Sequence, residues 1–243
     1  MELVQLSKEF TEDELDACRD YAVLISEHEK CDGSGIMYID GQVTDCDCRV
    51  MYYYIREMMY ARLPSSYWKA LIDKPKMKVE NQEAIDQFFT KPKGSIVVGG
   101  FETIGKTQFL VMTGKKLLQK NIRTIFMDAS DLVRLLTDKD LEVLQDRVSG
   151  CDVILIDDFH RLKLEWKRDI VLQFVRKRLG AGTGFVFAID SDDGELYKLV
   201  DKSPGGFFTV SLFEPRVVDN FLNKDLIKEA REMESIDGIG GLQ

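Results

Sequence analysis

Residues 95–107 read SIVVGGFETIGKT, an apolar run that ends in Gly99-Gly100, crosses four residues and closes on Gly105-Lys106-Thr107. The spacing G-x-x-x-x-G-K-T is the Walker A pattern, a phosphate loop when a strand precedes it and a helix follows. Both conditions hold here: SIVVGG reads as a short buried strand and residues 107–120 as a helix. The glycines let successive backbone N–H groups curl around a phosphate. The helix N-terminus near Lys106 adds its partial positive charge. Lys106 then reaches the β- and γ-phosphates, and the Thr107 hydroxyl ligates magnesium. The expected ATP contacts are Gly100, Phe101, Glu102, Thr103, Ile104, Gly105, Lys106, Thr107 and Gln108.

A second stretch completes the chemistry. Val153-Ile-Leu-Ile-Asp157-Asp158 is four apolar residues ending in two acids, the form of a Walker B strand. Asp157 would hold magnesium, and Asp158 would orient or deprotonate the attacking water. Further apolar runs, IRTIFMD and GFVFAID, alternate with helical stretches at about 130–148 and 165–179. Strands alternating with helices predict a parallel α/β sheet covered on both faces.

Toward the N-terminus the pattern changes. Thr11 and Glu14 form a capping box for a helix over 12–28, and a Tyr- and Met-rich helix is predicted over 49–62. Its stripe reads first as core and second as a partner surface. Between the two lies HEKCDGSGIMYIDGQVTDCDCR, with His28 and Cys31 at H-x-x-C spacing and Cys46 and Cys48 at C-x-C spacing. Gly33, Gly35 and Gly41 suit tight turns, and IMYI reads as one strand of a small hairpin. Four N/S ligands in two close pairs is the composition of a structural zinc site. Cys18 is the substitute should His28 not be a ligand, and Cys151 reads as a buried small hydrophobe. The expected organisation is an N-terminal helical, zinc-binding partner domain at 1–65, a linker at 66–92, an ATPase domain at 93–222, and a C-terminal helix and flexible tail at 223–243.

Composition bounds the function. The 243 residues are 44% apolar and 31% charged, ordinary for a globular chain, and no apolar run is long enough to span a membrane. The first residues carry no secretory pattern, and five cysteines, an odd count, suggest a reducing, cytoplasmic setting. Net charge is −9, of which residues 1–90 carry −8, with 10 Lys and Arg against 18 Asp and Glu. A chain-wide basic footprint for nucleic acid is absent.

Together the cysteine knuckle ending in C-x-C-R, the tyrosine-containing connector, GFETIGKT, LIDDF and the helix EWKRDIVLQFVRKR resemble the DnaC/DnaI/IstB branch of AAA+ ATPases over residues 25–216. The resemblance is nearest to bacterial and phage replicative helicase loaders. It implies an AAA+ P-loop domain that hydrolyses ATP and a zinc-bearing N-terminal domain that grips a replicative hexameric DNA helicase. It also implies single-stranded DNA as a ligand, and self-association. It assigns a sensor 1 role to Asp190, where the branch usually has Asn or Thr, with Ser191 as the neighbouring candidate, and a sensor 2 role to Arg216. No arginine lies between Arg178 and Arg216, so an arginine finger would be replaced by Lys202 or supplied by a partner. Candidate DNA contacts are Arg161, Lys163, Lys167, Arg168, Arg176, Lys177 and Arg178, with Phe159 and Trp166 to stack on bases. The alternatives are an IstB-like transposition ATPase on duplex DNA and an ATP-binding adaptor with little turnover.

Overall fold

Four apolar runs become four strands lying side by side: β4 (Ser95–Gly99), β5 (Thr124–Asp128), β6 (Val153–Asp157) and β7 (Gly184–Ile189). Almost every residue in them is buried, as expected where helices cover both faces of a parallel sheet. The computed structural model describes residues 12–25, 31, 34–68, 77–79, 82–100, 105–138, 142–189, 194–201, 207–215, 228–229 and 231–232. They fall into two units, one within Met1–Tyr60 and Asn220–Gln243, the other within Ala61–Asp219.

The larger unit is a six-stranded sheet in the order β3-β8-β4-β7-β6-β5, where β3 is Met77–Val79 and β8 is Phe207–Pro215. The strands from β8 to β5 are mutually parallel, and β3 closes one edge antiparallel to β8. Neither FFTVSLFEP nor the three residues of β3 is among the strands the sequence predicts, three residues being too few to show a period. Both β3 and α3 (Gln82–Thr90) lie in the stretch read as a linker. On one face α4 (Lys106–Gln119) packs over β5, β6 and β7. Gly114 permits that approach: a Cβ there would stand 2.9 Å from Leu155 Cδ1 and 2.8 Å from Leu63 Cδ2. The other face buries Ile125, Ile154, Ile156, Phe185 and Phe187 against α5 (Ala129–Thr137), α6 (Glu142–Gly150), α7 (Glu165–Gly180) and α8 (Gly194–Val200). Cys151 belongs to this core, and burial pushes its thiol up to about 11.

The smaller unit pairs α1 (Glu12–Ile25) with α2 (Asp47–Tyr60). Met51, Tyr54, Ile55 and Met58 recur at i, i+3, i+4 and i+7 and are all buried, so the central stripe of α2 is core. Between the helices, β1 (Ile36–Ile39) and β2 (Gln42–Asp45) form a hairpin around Asp40-Gly41. Both turn residues have positive φ, 51° and 80°, the requirement of a two-residue primed turn, which Asp-Gly meets at low cost. Near the other end of the chain, Glu229 is buried and accepts a 2.6 Å hydrogen bond from the Tyr54 hydroxyl. Arg231 pairs with Asp47 at 2.5 Å. No helix among the described residues is long and apolar enough to cross a membrane.

Candidate nucleotide and metal sites

In a parallel sheet every strand delivers its carboxyl end to the same edge, where open α/β sheets bind ligands. Here that edge carries Gly99, Asp128, Asp157 and Ile189, with Asp128 in register with Asp157 and Gly99 with Ile189. The Walker A strand β4 and the Walker B strand β6 are not neighbours, because β7 lies between them. The helix α4 bridges that gap. Gly105 precedes it in the left-handed region (φ 103°, ψ 26°), which glycine adopts freely, and this turns the chain from loop into helix.

Three contacts define the site. Lys106 is largely buried, and its Nζ donates to the Gly100 carbonyl at 2.9 Å. The Thr107 hydroxyl donates to Asp157 Oδ2 at 2.6 Å. The backbone N–H of Asp158 donates to Asp157 Oδ1 at 3.0 Å. Burial raises the Asp157 pKa, and the charges of Asp158 and Asp128 add to it, against the lowering effect of the Thr107 hydrogen bond. A carboxylate beside a hydroxyl, with further acids nearby whose repulsion a cation would relieve, is a donor set that suits a hard divalent cation. The residues therefore fit magnesium held by Thr107 and Asp157, and Lys106 and the α4 N-terminus fit the phosphates of ATP. Gln108 is buried in the first turn of α4, and its Nε2 has no hydrogen-bond partner among the described residues.

Asp158 sits in the left-handed region (φ 54°, ψ 31°), unusual for a non-glycine residue. The turn it makes starts the 3-10 segment Phe159–Arg161 and brings Asp158 Oδ2 within 3.0 Å of Arg161 Nε. The same turn drives Phe159 inward, fully buried and edge-on to Phe187 at 5.8 Å. Phe159 is thus core, and the expectation that it stacks on bases is corrected. Arg168 is committed to Glu195 at 2.9 Å and to the Phe159 ring, and Arg178 donates to the Cys151 carbonyl. Trp166 remains open, 53% exposed with the Lys167 ammonium 5.6 Å from its ring centre, and Lys163, Arg176 and Lys177 are exposed. Phe101, Glu102, Thr103, Ile104, Asp190, Ser191, Lys202 and Arg216 lie outside the described residues, as does His28.

In the smaller unit, the sulfurs of Cys31, Cys46 and Cys48 all lie within 4.8 Å of one another. The Cys31 and Cys48 sulfurs are 3.7 Å apart. Tetrahedral zinc with bonds of about 2.3 Å sets its sulfurs nearly 3.8 Å apart, so the spacing fits zinc. Cys46 stands just before α2, where its N–H donates to the Gly35 carbonyl at 2.8 Å and its carbonyl accepts from Arg49 and Val50. Hairpin base, helix start and thiols are therefore one knot. With three thiols packed together, burial first and then the Cys46 and Cys31 thiols push Cys48 up to about 12. Cys18 is not part of the cluster: its sulfur lies 3.3 Å from Met59 Sδ, between α1 and α2.

No protein-family profile matches the sequence, and no curated protein does. Solved structures do. Domain III of the Thermotoga maritima replication initiation protein DnaA superposes with TM-score 0.50 at 19% identity, covering 72% of this chain and 76% of that one. AMPPCP-bound DnaA from Aquifex aeolicus gives 0.49 at 16% identity, over 74% of this chain and 66% of that one, just under two thirds of its length. The DnaC helicase loader gives 0.46 at 18% identity, over 70% and 96%. Sheet order, with the Walker A sequence after β4 and the Walker B acids at the end of β6, gives the larger unit an AAA+-like P-loop fold.

Proposed function

We propose that this chain is an ATP-dependent helicase loader. Its N-terminal unit binds a replicative hexameric DNA helicase, and its AAA+ unit uses ATP and single-stranded DNA to time delivery and release. One observation carries the reading: a paired Walker A and B site is joined, in one chain, to a cysteine-knotted unit of opposite charge character. The smaller unit holds 8 Lys and Arg against 19 Asp and Glu, net −11, while the larger holds 25 against 23, net +2. An acidic module of that kind suits a protein partner, not phosphate. The proposed division of labour is that of the two units, 1–60 with 220–243 for the partner and 61–219 for the nucleotide, in place of the expected 1–65 and 93–222.

In this reading Lys106 leaves the Gly100 carbonyl to meet the β- and γ-phosphates. Thr107 and Asp157 hold magnesium, which when bound neutralises charge building on the phosphates. Asp158 orients the attacking water once its carboxylate leaves Arg161. Asp190 and Arg216 act as the sensors. Zinc is held by Cys31, Cys46 and Cys48, with His28 as fourth ligand, and serves structure alone. Trp166 with Lys163 and Lys167 supports the DNA assignment, as an open stacking face beside cations. A self-associated, cytoplasmic protein is part of the same proposal.

The Asp158–Arg161 pair favours a second reading, an ATP-binding adaptor with little turnover, because it occupies the acid that should work on water. Native mass spectrometry of the chain with the hexameric helicase from the same source tests the two. Loading requires a stoichiometric complex whose release depends on hydrolysis. A complex indifferent to ATP, ADP or a non-hydrolysable analogue supports the adaptor, and no complex in any state refutes both.

A further inference from the structure

The hairpin of the smaller unit is built unlike the rest of the molecule. Its base is half-buried and tied down, because the Cys46 N–H closes on the Gly35 carbonyl and Cys46 belongs to the thiol cluster. Arg49 reinforces the base through Asp45 at 2.8 Å. The tip is the reverse. Tyr38 is 78% exposed, Val43 63% and Ile39 52%, three of the five large apolar residues that are exposed among those described. Tyr38 and Val43 are cross-strand partners, so they share a face and form one continuous apolar surface. Tight hairpins normally place polar residues there, and an aromatic anchor held on a rigid support is the anatomy of an interface hot spot.

The surrounding charge selects the occupant. The tip belongs to the unit of net −11, and Asp40 sits in its turn. That field repels nucleic acid phosphates and anionic lipid surfaces alike. It attracts a protein surface rimmed by Lys and Arg. We infer that the tip formed by Tyr38, Ile39 and Val43 is the anchor that enters an apolar, basic-rimmed pocket on the replicative helicase. This rests on the loader reading and gives it a contact. Asp40 steers the approach and Tyr38 supplies the buried area, so rim charge sets the association rate and the aromatic ring sets the lifetime.

The test uses the full chain and the purified hexameric helicase from the same source, with binding followed by biolayer interferometry at two salt concentrations. Tyr38→Ser with Val43→Thr keeps the primed turn and a strand-forming residue. It is expected to weaken binding by at least about 30-fold, the smallest loss that marks a hot spot, mainly through faster dissociation. Tyr38→Phe should restore it. Asp40→Asn, which tolerates the positive φ, should slow association and flatten its salt dependence. Leu164→Ser, which removes an exposed apolar residue from the other unit, is expected to leave helicase affinity unchanged. Zinc content and thermal transition are measured on each variant, so that a lost fold is not mistaken for a lost contact. Tight binding of the wild type with equal binding of the double variant overturns the tip and leaves the loader reading standing. No binding by the wild type overturns the loader reading and the inference with it. A self-dimer of the wild type that the double variant abolishes, with helicase affinity unchanged, also overturns the inference and assigns the tip to a second copy of this chain.

Discussion

Asp157→Asn should make the nucleotide-free protein more stable and the nucleotide-bound protein less so. Asp157 is buried, its pKa is raised first by that burial, and Asp158 and Asp128 add like charge. A carboxyl whose folded pKa lies above its unfolded value contributes stability that is fully present below the unfolded pKa. That contribution is lost as pH rises through the folded pKa. At neutral pH the wild type therefore carries a net burial cost, only partly offset by its hydrogen bonds, that Asn does not. The amide also fits the contacts: its Oδ1 accepts from the Asp158 N–H, and its Nδ2 donates to a Thr107 hydroxyl turned to accept. Relief on the order of 1 kcal/mol raises Tm by roughly 2–4 °C for a chain of this size. Magnesium and ATP reverse the order. At a hundred times its Kd the ligand stabilises wild type by about 2.7 kcal/mol, and the variant, short of a cation ligand, should gain less than half of that. Differential scanning fluorimetry with and without magnesium-ATP, from pH 4 to pH 8, measures both effects. The Tm difference between the unliganded proteins should shrink in acid as wild-type Asp157 protonates. A lower Tm for unliganded Asp157→Asn at pH 7, or a difference that widens in acid, refutes the reasoning.

Lys106→Ala removes the charged donor now resting on Gly100 and should weaken ATP binding about 10- to 100-fold, read by titration calorimetry, with hydrolysis falling below detection. Cys48→Ser breaks a cluster whose zinc would contribute on the order of 10 kcal/mol, more than a unit this small holds otherwise. Bound zinc should drop from one per chain toward none, and hydrogen-exchange protection should vanish at Met51–Met58 while Ile154–Ile156 keeps it. Gly184→Ala would set a Cβ 2.3 Å from the Pro92 carbonyl oxygen, a backbone atom that cannot swing away. It should cost more than about 3 kcal/mol and at least 6 °C in Tm. Trp166→Phe should remove the tryptophan fluorescence quenching caused by an oligothymidylate, because Trp68, the other tryptophan, is committed through Nε1 to the Leu63 carbonyl.

The strands and the phosphate loop were legible because each rests on a local pattern: an apolar run, a glycine spacing, a pair of acids at a strand end. The hairpin was legible for the same reason, since Asp-Gly between IMYI and QVTD names its own turn. What escaped the sequence is set by local backbone conformation or by partners far along the chain. Phe159 could not be told from an exposed aromatic, because the backbone of Asp158 decides its direction. Cys18 could not be removed from the list of metal ligands by spacing, only by its place beside Met59. The strand β8 is fixed by its pairing with β4 and β3, which is made across the chain. Of the arginines after Walker B, sequence could count the charges but not see that Glu195 and the Cys151 carbonyl had claimed two of them.

Glu229 is the plainest case of information that spacing does not hold. It stands among charged residues in the stretch expected to form the C-terminal helix, yet it is buried and accepts from Tyr54, 175 positions earlier. The two ties at this end of the chain differ in weight. Arg231 to Asp47 is a half-exposed ion pair, worth about 0–1 kcal/mol in water. Tyr54 to Glu229 is out of water, and deleting Glu229 would remove a buried, charge-assisted hydrogen bond, a cost of about 1–3 kcal/mol. Burial and the Glu229 charge both push the Tyr54 pKa up, so the hydroxyl keeps its proton and remains the donor. The smaller unit is therefore discontinuous in sequence: α2, which starts at the cysteine knot, is completed by residues near the far end of the chain. A fragment cut after the N-terminal residues would expose this seam, so the partner module has to be assayed in the whole protein.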